Sequence, residues 1–189
     1  MNKKTVLHSI ERYLKEHFIK YITDDEDGTE RITMVFTGYD KCPDKIVEAC
    51  IYFFSEFMEC MVYYDATGTR WLSESKYKQE AYRLMNFINA RIFLTTPNDG
   101  MDGMLYNSSY LYSAKMYITE DDCFDITLNT VIPYDFYELA PIETADYLTV
   151  SCPEVLNQLS SPIFLTVLGK ITVDDAMAWI KSSILKDGI

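Results

Sequence analysis

A chain of 189 residues suits one domain with a sizeable hydrophobic core. Its 17 Lys and Arg face 29 Asp and Glu, a net charge of -12 that repels nucleic-acid phosphates and anionic lipid but can steer a basic protein segment. Apolar runs stop well short of the roughly 18 residues a membrane span needs, and the N-terminal MNKKTVLHSIERYLKEHF reads as a charged amphipathic helix, not an export signal, so a cytoplasmic protein is expected.

In chain order, Val6, Ile10, Tyr13, Leu14, His17 and Phe18 fall on one side of a first helix. It ends near His17, where an imidazole suits the C-terminal dipole. Residues 18–23 read as a strand, DDEDG at 24–28 as a turn, and 31–37 as the return strand with Ile32, Met34 and Phe36 on one side. After a loop at 38–45, KIVEACIYFFSEF reads as a central strand by its β-branched and aromatic content, 57–64 as the next, and DATGT at 65–69 as a turn. Tyr52, Tyr63, Tyr64 and Trp71 supply aromatic surface on both faces of these strands.

Residues 75–96 organise the rest. Tyr77, Ala81, Leu84 and Ile88 form a helical stripe, and the pattern then changes to period two at Ile92 and Leu94. Asn86 and Asn89, three apart near the helix end, are expected to fasten this helix-to-strand corner. PNDGMDGM at 97–104 reads as a turn, and 105–119, with Tyr106, Tyr110, Tyr112 and Tyr117, as strand. Another strand at 123–131 sets Phe124, Ile126 and Leu128 against Asp125, Thr127 and Asn129, an alternation that predicts one wet face.

Pro133, Pro141, Pro153 and Pro162 are expected to cut the tail into short helices. Ser151 with Glu154, and Thr172 with Asp175, have capping-box spacing, and Gly169 is a stop signal. Ala176, Ala178, Trp179, Ile180 and Ile184 form the apolar part of the last helix. The expected fold class is α+β: an antiparallel sheet flanked by an N-terminal helix, a central helix and short C-terminal helices. One domain is expected over 1–189, with 141–189 a helical tail packed on it.

Chemistry is sparsely signalled. Cysteines at 42, 50, 60, 123 and 152 contain no close pair, and His8 and His17 are the only histidines, so neither a zinc knuckle nor a redox motif is expected. Reduced, mostly buried thiols are expected, with Cys42 the most exposed. Calcium loops fail on spacing: with Gly28 sixth the twelfth residue is Met34, and with Gly103 sixth it is Ser109. No cofactor or metal is expected, and no G-x-S-x-G nucleophile turn is present. Between Asn98 and Gly169, Lys115 is the only basic residue against eleven acidic ones, so the acidic field is concentrated there.

The N-terminal helix, the strand meander, the helix ending at Asn86 to Asn89 within MNFINARIFL, the Gly-containing turn at 99–103 and the closing Gly169, Lys170 and TVDDA segment resemble the YbjN family. More distantly the chain looks like the class I chaperones of type III secretion systems, built as helix, three strands, helix, strands, helix. The resemblance covers roughly residues 5–180 and implies a non-enzymatic protein of the kind described as sensory transduction regulators, often homodimeric. It carries over no catalytic residue, and the Asn pair only as a structural corner.

The expected function is therefore a protein-binding or chaperone-like regulatory domain that presents an aromatic sheet face and an acidic surface to a protein partner, basic segments being the natural clients of that charge. Candidate partner-binding residues are Tyr52, Tyr63, Tyr64, Trp71, Tyr110, Tyr112 and Asp125, and the aromatic strand face predicts a homodimer. The alternatives are a small-molecule sensor with a helix-sheet pocket and a hydrolase using paired carboxylates.

Overall fold

The computed structural model describes residues 1–91, 114–120 and 123–185. It is a mixed fold of helices and strands in which an antiparallel sheet is flanked by N-terminal and C-terminal helices. Helix α1 (Lys3–Glu16) leads into strands β1 (Tyr21–Glu26), β2 (Thr29–Thr37), β3 (Ile46–Phe53) and β4 (Phe57–Tyr64), then helices α2 (Ala66–Ser73) and α3 (Lys78–Asn89). Strands β5 (Lys115–Ile118) and β6 (Ile126–Pro133) follow, and α4 (Tyr134–Leu139), α5 (Pro141–Asp146), α6 (Cys152–Val167) and α7 (Val173–Trp179) form the tail. The strand order is β1-β2-β3-β4-β6-β5, with every neighbouring pair antiparallel.

Period-two alternation divides the sheet into two faces. Ile32, Met34, Val47, Ala49, Ile51, Phe53, Met58, Cys60, Val62 and Tyr64 lie on the inner face and join one hydrophobic cluster with Val6, Ile10 and Leu14 of α1, Leu84 and Ile88 of α3, and Leu156 and Ile163 of α6. That cluster runs from Val6 to Ile184, so the helical tail shares the core with the rest of the described chain. Thr33, Glu48, Cys50, Tyr52, Met61, Tyr63 and Val131 lie on the outer face, and none of them belongs to the core cluster.

Local signals were decisive at several ends. Asn2 caps α1 through the Thr5 N–H. Thr172 and Asp175 form the full capping box of α7. The Lys170 N–H bonds the Leu165 carbonyl and the Gly169 N–H bonds the Thr166 carbonyl, a left-handed stop at Gly169 with φ 67°. A Cβ at Gly169 would overlap the Tyr77 ring, so any side chain there must displace that ring as well as adopt a strained φ.

Elsewhere the structure corrects the expectations. Phe18 is not part of the α1 stripe: it adopts φ 56° and is 93% exposed. The DDEDG turn shrinks to Asp27 and Gly28, both at positive φ, because a two-residue hairpin loop requires those conformations, and Asp24 to Glu26 stay in β1. DATGT is helical, not a turn; Asp65 caps α2 through the Gly68 N–H, and Gly68 lets the helix approach Tyr64 and Phe164, where a Cβ would sit 2.8 Å from the Tyr64 Cβ. Pro162 does not cut α6, which runs on to Val167. Burial of Leu159, Pro162, Ile163 and Phe164 against the core outweighs the hydrogen bond that proline cannot donate. Ser151 makes no capping bond, since the chain enters α6 from a preceding helical turn. In α7 and the turn after it the buried stripe is Val173, Ala176, Ile180 and Ile184; Ala178 and Trp179 face outward.

Candidate functional site

The outer face is the surface the fold leaves without a core partner among the described residues, and cross-strand register orders it into rows. One row is Ile22, Thr33, Cys50, Met61, Asn129 and Lys115. A second is Asp24, Arg31, Tyr52, Glu59 and Val131, and a third is Val35, Glu48, Tyr63, Thr127 and Tyr117.

The second row is a polar network. Arg31 donates to both Asp24 oxygens at 2.6 and 3.0 Å and to Glu26, and its guanidinium lies 5.9 Å from the Tyr52 ring centre. The Arg31 guanidinium holds the Asp24 carboxyl below its ordinary range. Tyr52 donates to Glu26 at 2.7 Å, and burial, aided by that carboxylate, pushes its hydroxyl up to about 12. Asn129 donates to Glu59. In the middle of the face the Cys50 sulfur lies 3.4 Å from the Thr33 hydroxyl and 3.3 Å from the Tyr63 hydroxyl, which burial pushes well up.

Where the third row meets α2, Glu48, Tyr63, Thr69, Arg70, Cys123 and Asp125 line an open cleft of about 450 Å³. Burial raises the Glu48 carboxyl, and the neighbouring Asp65 and Asp125 add to the shift. Both Asp125 oxygens are engaged, one by the Thr69 hydroxyl and the other by the Cys123 thiol. Among the described residues no group of three His, Cys, Asp or Glu side chains could hold a metal ion.

At the β1 end, Phe18, Ile19, Lys20, Ile22, Val35 and Phe36 line a second groove of about 660 Å³. Ile22 is 62% and Val35 49% exposed. Phe18 follows the His17 cap of α1, with its N–H on the Lys15 carbonyl and the Ile19 N–H on the Leu14 carbonyl. That left-handed position usually belongs to glycine, and an L-residue there costs about 1–2 kcal/mol. Here it throws an aromatic ring into solvent.

Of the residues singled out from sequence, Tyr52 and Tyr63 lie on the outer face, and Asp125 shares the cleft with Tyr63. Tyr64 is a correction: alternation turns it inward, it is 1% exposed, and its hydroxyl donates to the Leu156 carbonyl at 2.7 Å. Trp71 belongs to α2, not a strand, and meets Phe164 edge-on at 5.5 Å. Tyr110 and Tyr112 lie outside the described residues, as do the strand at 92–95 and the turn at 97–104.

Asn89 does fasten a corner, but to a different strand. Its amide donates to the Met116 carbonyl at 2.7 Å and accepts from the Met116 N–H at 2.7 Å, while Asn86 is exposed. Among the thiols Cys42 is buried at 6% exposure and pushed up to about 12 by burial; Cys123 is the exposed one. Thr127, expected on a wet face, is 2% exposed, flanked in register by Tyr63 and Tyr117.

Phe18, Ile22, Val35 and Val131 were not recognised from sequence as surface residues. Period two gave Val35 the face opposite Met34, but which face the helices cover is a tertiary fact. Among the described residues no helix is long and apolar enough to cross a membrane. No protein-family model matches the chain, and no curated protein matches it.

Proposed function

We propose that this protein is a non-enzymatic protein-binding module, chaperone-like or regulatory, whose contact surface is the outer face of the sheet. The observation that carries the reading is the apolar group of Phe18, Ile22 and Val35, exposed at 93%, 62% and 49%, on a face whose residues stand outside the core. Exposed apolar residues grouped in a groove and bordered by charge are a mark of protein contact surfaces. Tyr52 and Tyr63 extend the face with aromatic area, and Val131 gives it a further apolar point on β6.

Asp24 and Glu26 on β1, with Glu48 and Glu59 further across, favour a partner segment that is basic and apolar by turns. We read the arrangement as a variant of the YbjN and type III secretion chaperone architecture. An N-terminal helix ahead of an antiparallel meander, a central helix ending at Asn89 and the capped closing helix after Gly169 support that kinship.

Crosslinking and mass spectrometry on tagged protein captured from its own organism's lysate, compared with Val131→Glu and Tyr52→Ala variants, test the proposal. A reproducible partner crosslinked to the outer face and lost in the variants, at unchanged melting temperature, is the expected result. Undiminished recovery by the variants, or crosslinks confined to the helical side, overturns it.

A further inference from the structure

Among the described residues the sheet has two edges, β1 and β5, and the fold treats them differently. At β5 the outward Met116 N–H and carbonyl are both taken by the Asn89 amide, which occupies the place a further strand would take. At β1 no hydrogen bond from another element reaches the free edge among the described residues. An open edge is a template for strand addition.

We propose that β1 pairs antiparallel with β1 of a second copy of this chain, across a two-fold axis at Ile22. This rests on the reading of the outer face as a protein-contact surface and names the partner at its edge.

The sequence of β1 selects that register. A two-fold axis perpendicular to a continuous sheet keeps outer residues on the outer face, so each pairing is centred on one residue and its copy. Centred on Ile22, the exposed isoleucines meet each other, and Lys20 of each chain stands opposite the second copy's Asp24. The seam then has an apolar centre, and at each end Lys20 joins the Arg31 that already engages Asp24. Centred on Tyr21, Ile22 would face Lys20; centred on Thr23, it would face Asp24. Centred on Asp24, Asp25 or Glu26, like carboxylates would stand directly opposite, which is unfavourable. The acidic half of β1 therefore excludes the competing alignments. The Phe18, Ile22 and Val35 groove lies beside this seam and widens the buried area beyond that of a lone strand pair.

The test combines mass with residue-specific crosslinking. Light scattering of the full chain over a concentration series is expected to move from near 22.0 kDa toward twice that value. Lys20→Glu sets like charges opposite at both ends of the seam and is expected to weaken the dimer by about tenfold. In a Cys123→Ser background, which removes the exposed native thiol, Ile22→Cys is expected to form a covalent dimer on mild oxidation while Thr23→Cys does not. A mass near 22.0 kDa at every concentration, with no Ile22→Cys crosslink, overturns the proposal. Crosslinking through Thr23→Cys in preference to Ile22→Cys overturns the register. Neither result touches partner capture through Val131 and Tyr52 across the sheet, so the two readings fail separately.

Discussion

Replacing Asn89 tests how this sheet closes its far edge. The side chain is a bidentate match for one residue of β5: it donates to the Met116 carbonyl and accepts from the Met116 N–H, both at 2.7 Å, while Met116 is 1% exposed. Asn89→Ala removes both partners. Each buried group left unsatisfied costs about 1–3 kcal/mol, and water reaching the half-buried corner lowers that, so a loss of about 2–4 kcal/mol is expected. For a chain of this length each kcal/mol moves the midpoint by about 2–4 °C, giving a fall of about 4–16 °C. Asn89→Asp is the sharper variant. A carboxylate still accepts from the Met116 N–H but opposes the carbonyl, so the loss persists at pH 7. Protonation restores a donor, which raises the folded-state pKa above the unfolded value. The stability is therefore present in acid and lost as pH rises through that folded pKa. Thermal melts from pH 4 to 8 and hydrogen exchange at the Met116 amide read both effects. An Asn89→Ala protein within about 0.5 kcal/mol of wild type, or an Asn89→Asp protein equal to it at pH 7, refutes the edge-cap reasoning.

Gly169→Ala is expected to cost about 1–2 kcal/mol from the left-handed backbone alone, with a further penalty from the Tyr77 ring; urea unfolding shows it, and the excess should vanish in a Tyr77→Ala background. The Glu48 carboxyl is raised above its ordinary 4.5, so its contribution is fully present below that value and lost as pH rises through the folded one. Glu48→Gln should therefore raise the melting temperature at pH 7 and leave it nearly unchanged in acid; an equal shift at both pH values would exclude ionisation as the cause. Thiol titration of the native protein should give one fast site, abolished by Cys123→Ser and untouched by Cys42→Ser, because burial shields Cys42, Cys50, Cys60 and Cys152 until unfolding.

Features that depend on near neighbours were legible in the amino-acid sequence. The α1 and α3 stripes, the alternation of β2, the strand composition of β3, the Thr172 and Asp175 capping box and the Gly169 stop follow from periodicity, β propensity and capping chemistry within a few residues. Asn89 was legible as a fastener, because an amide at a helix end seeks backbone groups. Its partner, Met116, stands 27 residues away, and only folding brings the two together. Alternation likewise separates Tyr63 from Tyr64, but the helices determine which of them is buried. Pro162 remains inside α6 because core burial outweighs a local preference, and Cys42 is buried while Cys123 is exposed for reasons no loop composition contains. The candidate surface belongs wholly to this second class: Phe18, Ile22 and Val35 become a groove only when the end of α1 and the strands β1 and β2 meet on the face that, among the described residues, stands outside the core.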